Sequence, residues 1–208
     1  MSQAQPRPPL SSPGAQPPDS KASARQHDRH LPGDGHMWVM VIGDLIIFGG
    51  YFVVFMIYRT MDPEGFLQEQ QHLDITIGAI NTVILLTSSW FIARAVLATR
   101  SERHEQAIRL TYAAGAGGLL FMLLKGYEWY TEISTGHTNS EMFFSFYYVL
   151  TGVHLVHVLI GLIVLSVVVR ELRNPTRRRA SMVESGAIYW HMVDLLWVII
   201  FGLLYVVR

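Results

Sequence analysis

Six ionisable residues stand inside apolar stretches of this 208-residue chain: Asp44, Glu128, His154, His157, His191 and Asp194. Carboxylates and imidazoles in such surroundings can hold or pass protons, ligate a metal, or bridge helices, because burial and pairing change how firmly each holds its proton. A carboxylate at a helix centre within a bilayer costs about 2.5 to 3.5 kcal/mol on insertion scales, so Asp44 and Asp194 point to function or to an essential interhelical bond. His154 and His157 are three residues apart, as are His191 and Asp194, so each pair shares a helix face. For the histidines, interhelical hydrogen bonding is favoured over ligation of a metal or haem. Glu128 sits beside Trp129 and Tyr130, where an interfacial aromatic belt with a snorkelling Lys125 is an equally good reading.

Several cofactor chemistries are disfavoured. The chain has no cysteine, which removes disulfides, thiolate-held iron–sulfur clusters, thioether-attached haem and a Cys-ligated copper. A di-iron carboxylate bundle needs two Glu-x-x-His motifs on facing helices; only Glu69-Gln-Gln-His72 matches, and it is placed in a polar loop. A two-haem, one-copper centre would consume more intramembrane histidines than His154, His157 and His191 supply. No glycine-rich phosphate loop, nucleophile elbow or zinc-protease motif is found. The chain is therefore expected to bind no metal or haem of its own.

The elements that must position these residues are membrane helices. Half of the chain is hydrophobic and only 15% is charged, a balance typical of integral membrane proteins. A helical span needs about 20 apolar residues, and five stretches reach that length, at roughly 37–58, 75–98, 108–130, 142–169 and 187–207. Barrel strands would alternate in polarity over about 10 residues, whereas Leu155 to Val169 and Leu195 to Val207 are apolar on every side. The predicted fold is all-α, an integral membrane bundle of five transmembrane helices over residues 36–208. Residues 1–35, with six prolines before Ser20, read as a disordered cytoplasmic tail. Asp62-Pro63-Glu64-Gly65 is predicted to turn after the first span and Asn174-Pro175 to break the chain after the fourth. Gly115, Gly117 and Gly118, set among alanines, read as a close-packing face.

Orientation follows from the basic residues, which cluster in the tail, around Arg100 to Arg109, and around Arg170 to Arg179; the first and third loops are acidic. Basic loops stay in the cytoplasm, which puts the N-terminus inside and the C-terminus outside. At about 1.5 Å per residue, Asp44 and Asp194 each lie about 10 Å in from the cytoplasmic side, and His157 falls in the same layer. The expectation is one buried polar cluster of Asp44, His154 or His157, and the His191/Asp194 pair.

The run Thr151-Gly152-Val-His154-Leu-Val-His157-Val-Leu-Ile-Gly161, followed by Glu184 and by Tyr189-Trp190-His191-Met-Val-Asp194-Leu-Leu-Trp197, resembles subunit III of the haem–copper oxidases. Asp44 within Met40 to Phe48, Asn81 within Ile80 to Leu86, and Lys125-Gly-Tyr-Glu128-Trp129 extend the likeness, in family order, over about residues 36–207. The resemblance makes Asp44 the buried carboxylate of the first shared helix, a position more often Glu, and sets Glu128, His154, His157, Glu184, His191, Asp194 and Trp197 on other recurrent positions. Five spans are similar to subunit III of bacterial quinol oxidases. Leu31-Pro-Gly-Asp34, Met37-Trp38 and Leu85-Leu-Thr-Ser-Ser-Trp90 resemble the accessory (NorE-type) branch associated with nitric oxide reductase. What the family implies is an auxiliary subunit of the bacterial cytoplasmic membrane, without haem or copper of its own, beside a catalytic subunit that carries both and possibly near its electron-entry subunit. It also implies support of proton uptake, stability in turnover and bound phospholipid. An assembly factor that leaves the finished complex, and a small independent transporter, are the other classes; the inverted repeats and broken helices common in transporters are not found here.

Overall fold

The computed structural model describes residues 35–134, 142–174 and 180–207. Six α-helices follow one another among them: α1 Gly35–Met61, α2 Pro63–Gln70, α3 Ile75–Arg100, α4 His104–Ser134, α5 Met142–Arg173 and α6 Ala180–Phe201, the last continued by a π-helical turn Gly202–Val206. Five of them are long and apolar enough to cross a membrane: Met37–Met61, Ile75–Arg100, His104–Ser134, Met142–Arg173 and Ala180–Val206. Among the described residues there is no strand. The proline-rich tail expected at residues 1–35 lies outside the described residues except for Gly35, which opens α1.

The connection between α1 and α3 differs from its predicted form. Asp62-Pro63 starts a short helix where a turn was expected: Asp62 caps it by accepting the Gly65 N–H at 3.1 Å, and Pro63 occupies the first helical turn, where its missing N–H costs nothing. Glu69 and Gln70 consequently close α2, with Gln70 buried, while Gln71 and His72 form the exposed polar turn that follows. Phe66 of α2 packs edge-on to Phe55 of α1 and Phe143 of α5, tying the helix to the bundle. Asp74 then caps α3 by accepting the Thr76 N–H at 2.8 Å, a bond that holds its carboxyl below the usual carboxylate range.

The helices differ in how firmly they are embedded. Of its most apolar stretch, α6 buries 56% within the protein and α1 only 17%, which makes α6 the centre and α1 a peripheral helix. The buried residues of α1 are Val41, Phe48 and Phe55, seven apart, with Leu45 and Phe52 partly buried between them. That is a narrow coiled-coil-like seam. The end of α1 is clasped: Arg59 donates to the Val207 carbonyl at 2.6 Å, and Gln70 donates to the same oxygen at 3.0 Å.

At the centre, small residues seat Trp190. A methyl group on Gly118 of α4 would come within 2.6 Å of its ring, and one on Gly161 of α5 within 2.9 Å. The indole N–H donates to Ser88 of α3 at 3.0 Å, and the Ser88 hydroxyl donates to the Ala114 carbonyl at 2.8 Å. Gly117 packs on Ser88. The glycine face is thus a close-packing surface, and it fixes α3, α4, α5 and α6 about one ring.

Candidate functional site

The bundle has an arginine-rich end, where the end of α3, the start of α4 and the end of α5 carry Arg100, Arg103, Arg109, Arg170 and Arg173, and an opposite end carrying α2. Near the first, Asp44 of α1 faces His157 of α5, Oδ2 to Nε2 3.6 Å, with side chains 20% and 17% exposed. His157 Nδ1 lies 2.8 Å from the Val153 carbonyl, which can only accept, so Nδ1 carries a proton. Nε2, the ring's other nitrogen, is the one that faces the Asp44 carboxyl. Phe48 packs edge-on to the ring at 5.3 Å and fixes its plane.

The other members of the expected cluster are brought to two separate places. His191 of α6 turns to α3, where Nδ1 meets the Ser89 hydroxyl at 2.5 Å. Asp194 is 3% exposed, and neither carboxyl oxygen has a hydrogen-bond partner. His154 is fully buried and both ring nitrogens lack partners. It is caged by Phe121 at 5.6 Å and Trp197 at 5.3 Å between ring centres. The expected interhelical hydrogen bond of His154 is therefore not formed. Asn81 of α3 shares this condition, fully buried with its amide oxygen and nitrogen unbonded. The shared level does agree with expectation: Gly161 meets Trp190 and Gly186 meets Val164 and Val168, a register that sets Asp194 level with His157. Sequence spacing gave the level but not the direction: His191 and Asp194 share a helix face, and that face turns towards Ser89.

Towards the α2 end lies the densest polar group, and it corrects the reading of Lys125 as a snorkelling side chain. Lys125 is 0% exposed and Glu128 2%. The ammonium donates to both Glu128 oxygens at 3.2 Å, to Tyr147 Oη at 3.1 Å and to Tyr205 Oη at 2.6 Å. Both tyrosines in turn donate to Glu128 Oε1, Tyr147 at 2.9 Å. The cation also lies over the rings of Tyr147 at 4.6 Å, Tyr205 at 5.1 Å and Trp197 at 5.2 Å. Lys-x-x-Glu within an apolar run was the available signal, since a lysine one turn from a carboxylate can pair with it instead of reaching for water. Nothing local marks Tyr147 and Tyr205 as its partners, because they stand 22 and 80 residues away.

The remaining motif residues are structural neighbours. Thr151 donates to the Tyr147 carbonyl at 2.6 Å and accepts the Trp129 N–H at 3.2 Å. Gly152 leaves room for that indole. Trp197 donates to Thr82 at 3.0 Å. Glu184 pairs with Arg100 at 2.8 Å, joining α6 to α3 at the arginine-rich end. Among the described residues no three His, Asp or Glu side chains gather as a metal site. His157 faces Asp44, His191 meets Ser89 and His154 has no hydrogen-bond partner, so the three histidines stand in separate settings.

Residues 35–207 match the family model for cytochrome c oxidase subunit III. The chain is a member of the cytochrome c oxidase subunit III family. It is 30% identical over 185 residues to a cytochrome c oxidase subunit 3 of Synechocystis sp., covering 86% of this chain and 78% of that one. It is 32% identical over 171 residues to the same subunit of Thermostichus vulcanus, covering 81% and 84%. A haem–copper oxidase subunit I+III of Aeropyrum pernix is 30% identical over 186 residues, which are 82% of this chain and 22% of that one. In this subunit III-family chain the motif residues build the Trp190 seat and the Lys125 network as packing, and they bring Asp44 to His157 at a partly exposed seam.

Proposed function

We propose that this chain is an auxiliary subunit of a haem–copper respiratory complex in the bacterial cytoplasmic membrane, seated beside a catalytic subunit that holds the haem and copper. The observation that carries its role is the Asp44–His157 pair, whose Nε2 is the exchanging nitrogen and whose carboxylate is a ready neighbouring base. Placed towards the arginine-rich end, which the basic-loop rule assigns to the cytoplasm, the pair holds a proton near a partner's uptake route. The seam is partly exposed, whereas the Lys125 network is sealed. The chain also stabilises the partner during turnover and keeps phospholipid at its apolar face. A protein in which subunits I and III are one polypeptide, as the Aeropyrum relative is named, supports the partnership.

Within this reading the nitric oxide reductase accessory branch is the finer assignment, supported by the Leu85 to Trp90 and Met37-Trp38 motifs. The test is purification in mild detergent through a tag at the N-terminus, with mass spectrometry and haem spectra of what comes down in stoichiometric amount. An oxygen reductase makes the chain a terminal-oxidase subunit III. A nitric oxide reductase gives the accessory branch. No haem protein contradicts both and moves weight to the assembly factor or transporter classes.

A further inference from the structure

On the α3 side of α6, His191, Ser89 and Asp194 stand together in order of increasing burial: His191 is exposed, Ser89 half-buried and Asp194 buried. The helix register puts them there. Trp190 donates to Ser88 and Trp197 to Thr82, so α3 runs antiparallel beside α6 and the turn from His191 to Asp194 passes Ser89. The Ser89 hydroxyl meets His191 Nδ1 at 2.5 Å, and it is also close enough to act on the Asp194 carboxyl. A serine has one proton to give, and in this arrangement it does not go to Asp194, whose carboxyl oxygens both remain unbonded. Ionised, that carboxyl would be a buried charge without a partner, a costly state. The charged and titratable groups that the packed elements bring near its level are Asp44 from α1, Arg94 from α3, Lys125 from α4 and His154 and His157 from α5, with Tyr189 and His191 on α6 itself. Arg94 lies over Trp90, Lys125 pairs with Glu128 and His157 faces Asp44. These groups are committed elsewhere.

We infer that these three residues form a proton-holding relay, in which Asp194 stores the proton as a neutral acid and Ser89 and His191 are its way in and out. A rotation of the Asp194 carboxyl towards Ser89 closes the chain. Release then runs outward: the carboxyl O–H gives its proton to Ser89 Oγ while Ser89 gives its own to His191 Nδ1, leaving a carboxylate on Asp194 and an imidazolium on His191. Nε2–H passes its proton to water or a buffer base outside the bundle, and neutral His191 keeps the proton on Nδ1. In that state Nδ1–H donates to Ser89 and Ser89 donates to the carboxylate, so the same three groups bond in either direction. Loading is the reverse, and one proton moves in all. The chain thereby has a second acid–base site, between α3 and α6, in addition to the Asp44–His157 seam between α1 and α5.

The test is infrared spectroscopy of the full chain purified in detergent, in ordinary and in heavy water. At neutral pH the parent is expected to show a carboxylic acid C=O band that Asp194→Asn removes and that shifts on deuteration. Ser89→Ala and His191→Phe each keep the band and slow its deuteration by about a hundredfold, the lower range of what a positioned proton-transfer group supplies. Ser89→Thr retains the hydroxyl and exchanges close to the parent rate. Damage to the fold does not imitate this pattern, because local opening speeds exchange. Absence of an Asp194-dependent acid band at neutral pH overturns the store. An acid band that fails to deuterate in the parent, parent-rate deuteration in Ser89→Ala or His191→Phe, or a threonine variant as slow as the alanine one overturns the relay. The measurement uses this chain without a partner, so its failure leaves the function proposed above standing, and a purification that recovers no haem protein leaves the relay standing.

Discussion

Asp44 with His157 and Lys125 with Glu128 are both acid–base pairs inside one five-helix bundle, and they are built in opposite ways. The first spans a peripheral seam at 3.6 Å, partly exposed, with one side chain's second nitrogen tied to its own helix. The second is sealed, with the cation donating to three side chains and the carboxylate accepting from two tyrosines as well. A sealed and satisfied network specifies one packing and is costly to break, whereas a partly exposed pair with one contact at 3.6 Å holds its helices less firmly. The motif residues therefore differ in burial and in number of partners.

The sharpest way to break that contrast is Lys125→Met. It leaves the Glu128 charge buried without a cation and is expected to cost about 3 to 5 kcal/mol in thermal unfolding in detergent. Adding Glu128→Gln restores most of it; a single variant as stable as the parent would erase the difference between the two regions. Gly118→Ala forces a methyl against Trp190, whose ring is held by Ser88, and is expected to cost about 1 to 3 kcal/mol by the same assay. His154→Phe removes two unbonded nitrogens from an aromatic cage. Its stability should stay within about 1 kcal/mol of the parent or rise, and a large loss would show a polar role for the ring. Asp44→Asn should change stability by about 1 kcal/mol or less.

The smallest effect belongs to Asp74, outside the spans. Its carboxyl is held low chiefly by the Thr76 N–H, so its contribution is present above the ordinary carboxylate range and is lost as pH falls through the lower folded value. Asp74→Ala should remove that acid-side loss, with little change in the neutral-range unfolding temperature beyond the lost cap; an unaltered acid limb in unfolding scans run between neutral and acid pH would contradict it.

Much of the architecture was legible in the residues. The five spans, the glycine face and the depth of Asp44, His157 and Asp194 follow from length, small-residue clustering and helical rise. What was not legible depends on rotation about each helix axis. Once α6 is turned by the Trp190 seat, His191 meets Ser89 and Asp194 stays unbonded, so the expected single cluster divides. Asp62-Pro63-Glu64-Gly65 read as a turn, and the Asp62 cap with Phe66 packing on Phe55 and Phe143 makes it a helix start. Lys125 looked like a snorkelling residue because its tyrosine partners lie on other helices.

The most direct test of the central claim is steady-state turnover and inactivation of the purified complex carrying Asp44→Asn, beside the parent at equal subunit stoichiometry. The account predicts unchanged co-purification and unfolding temperature with slower turnover or faster inactivation. Unchanged turnover and lifetime would contradict it and make the Asp44–His157 seam another packing contact.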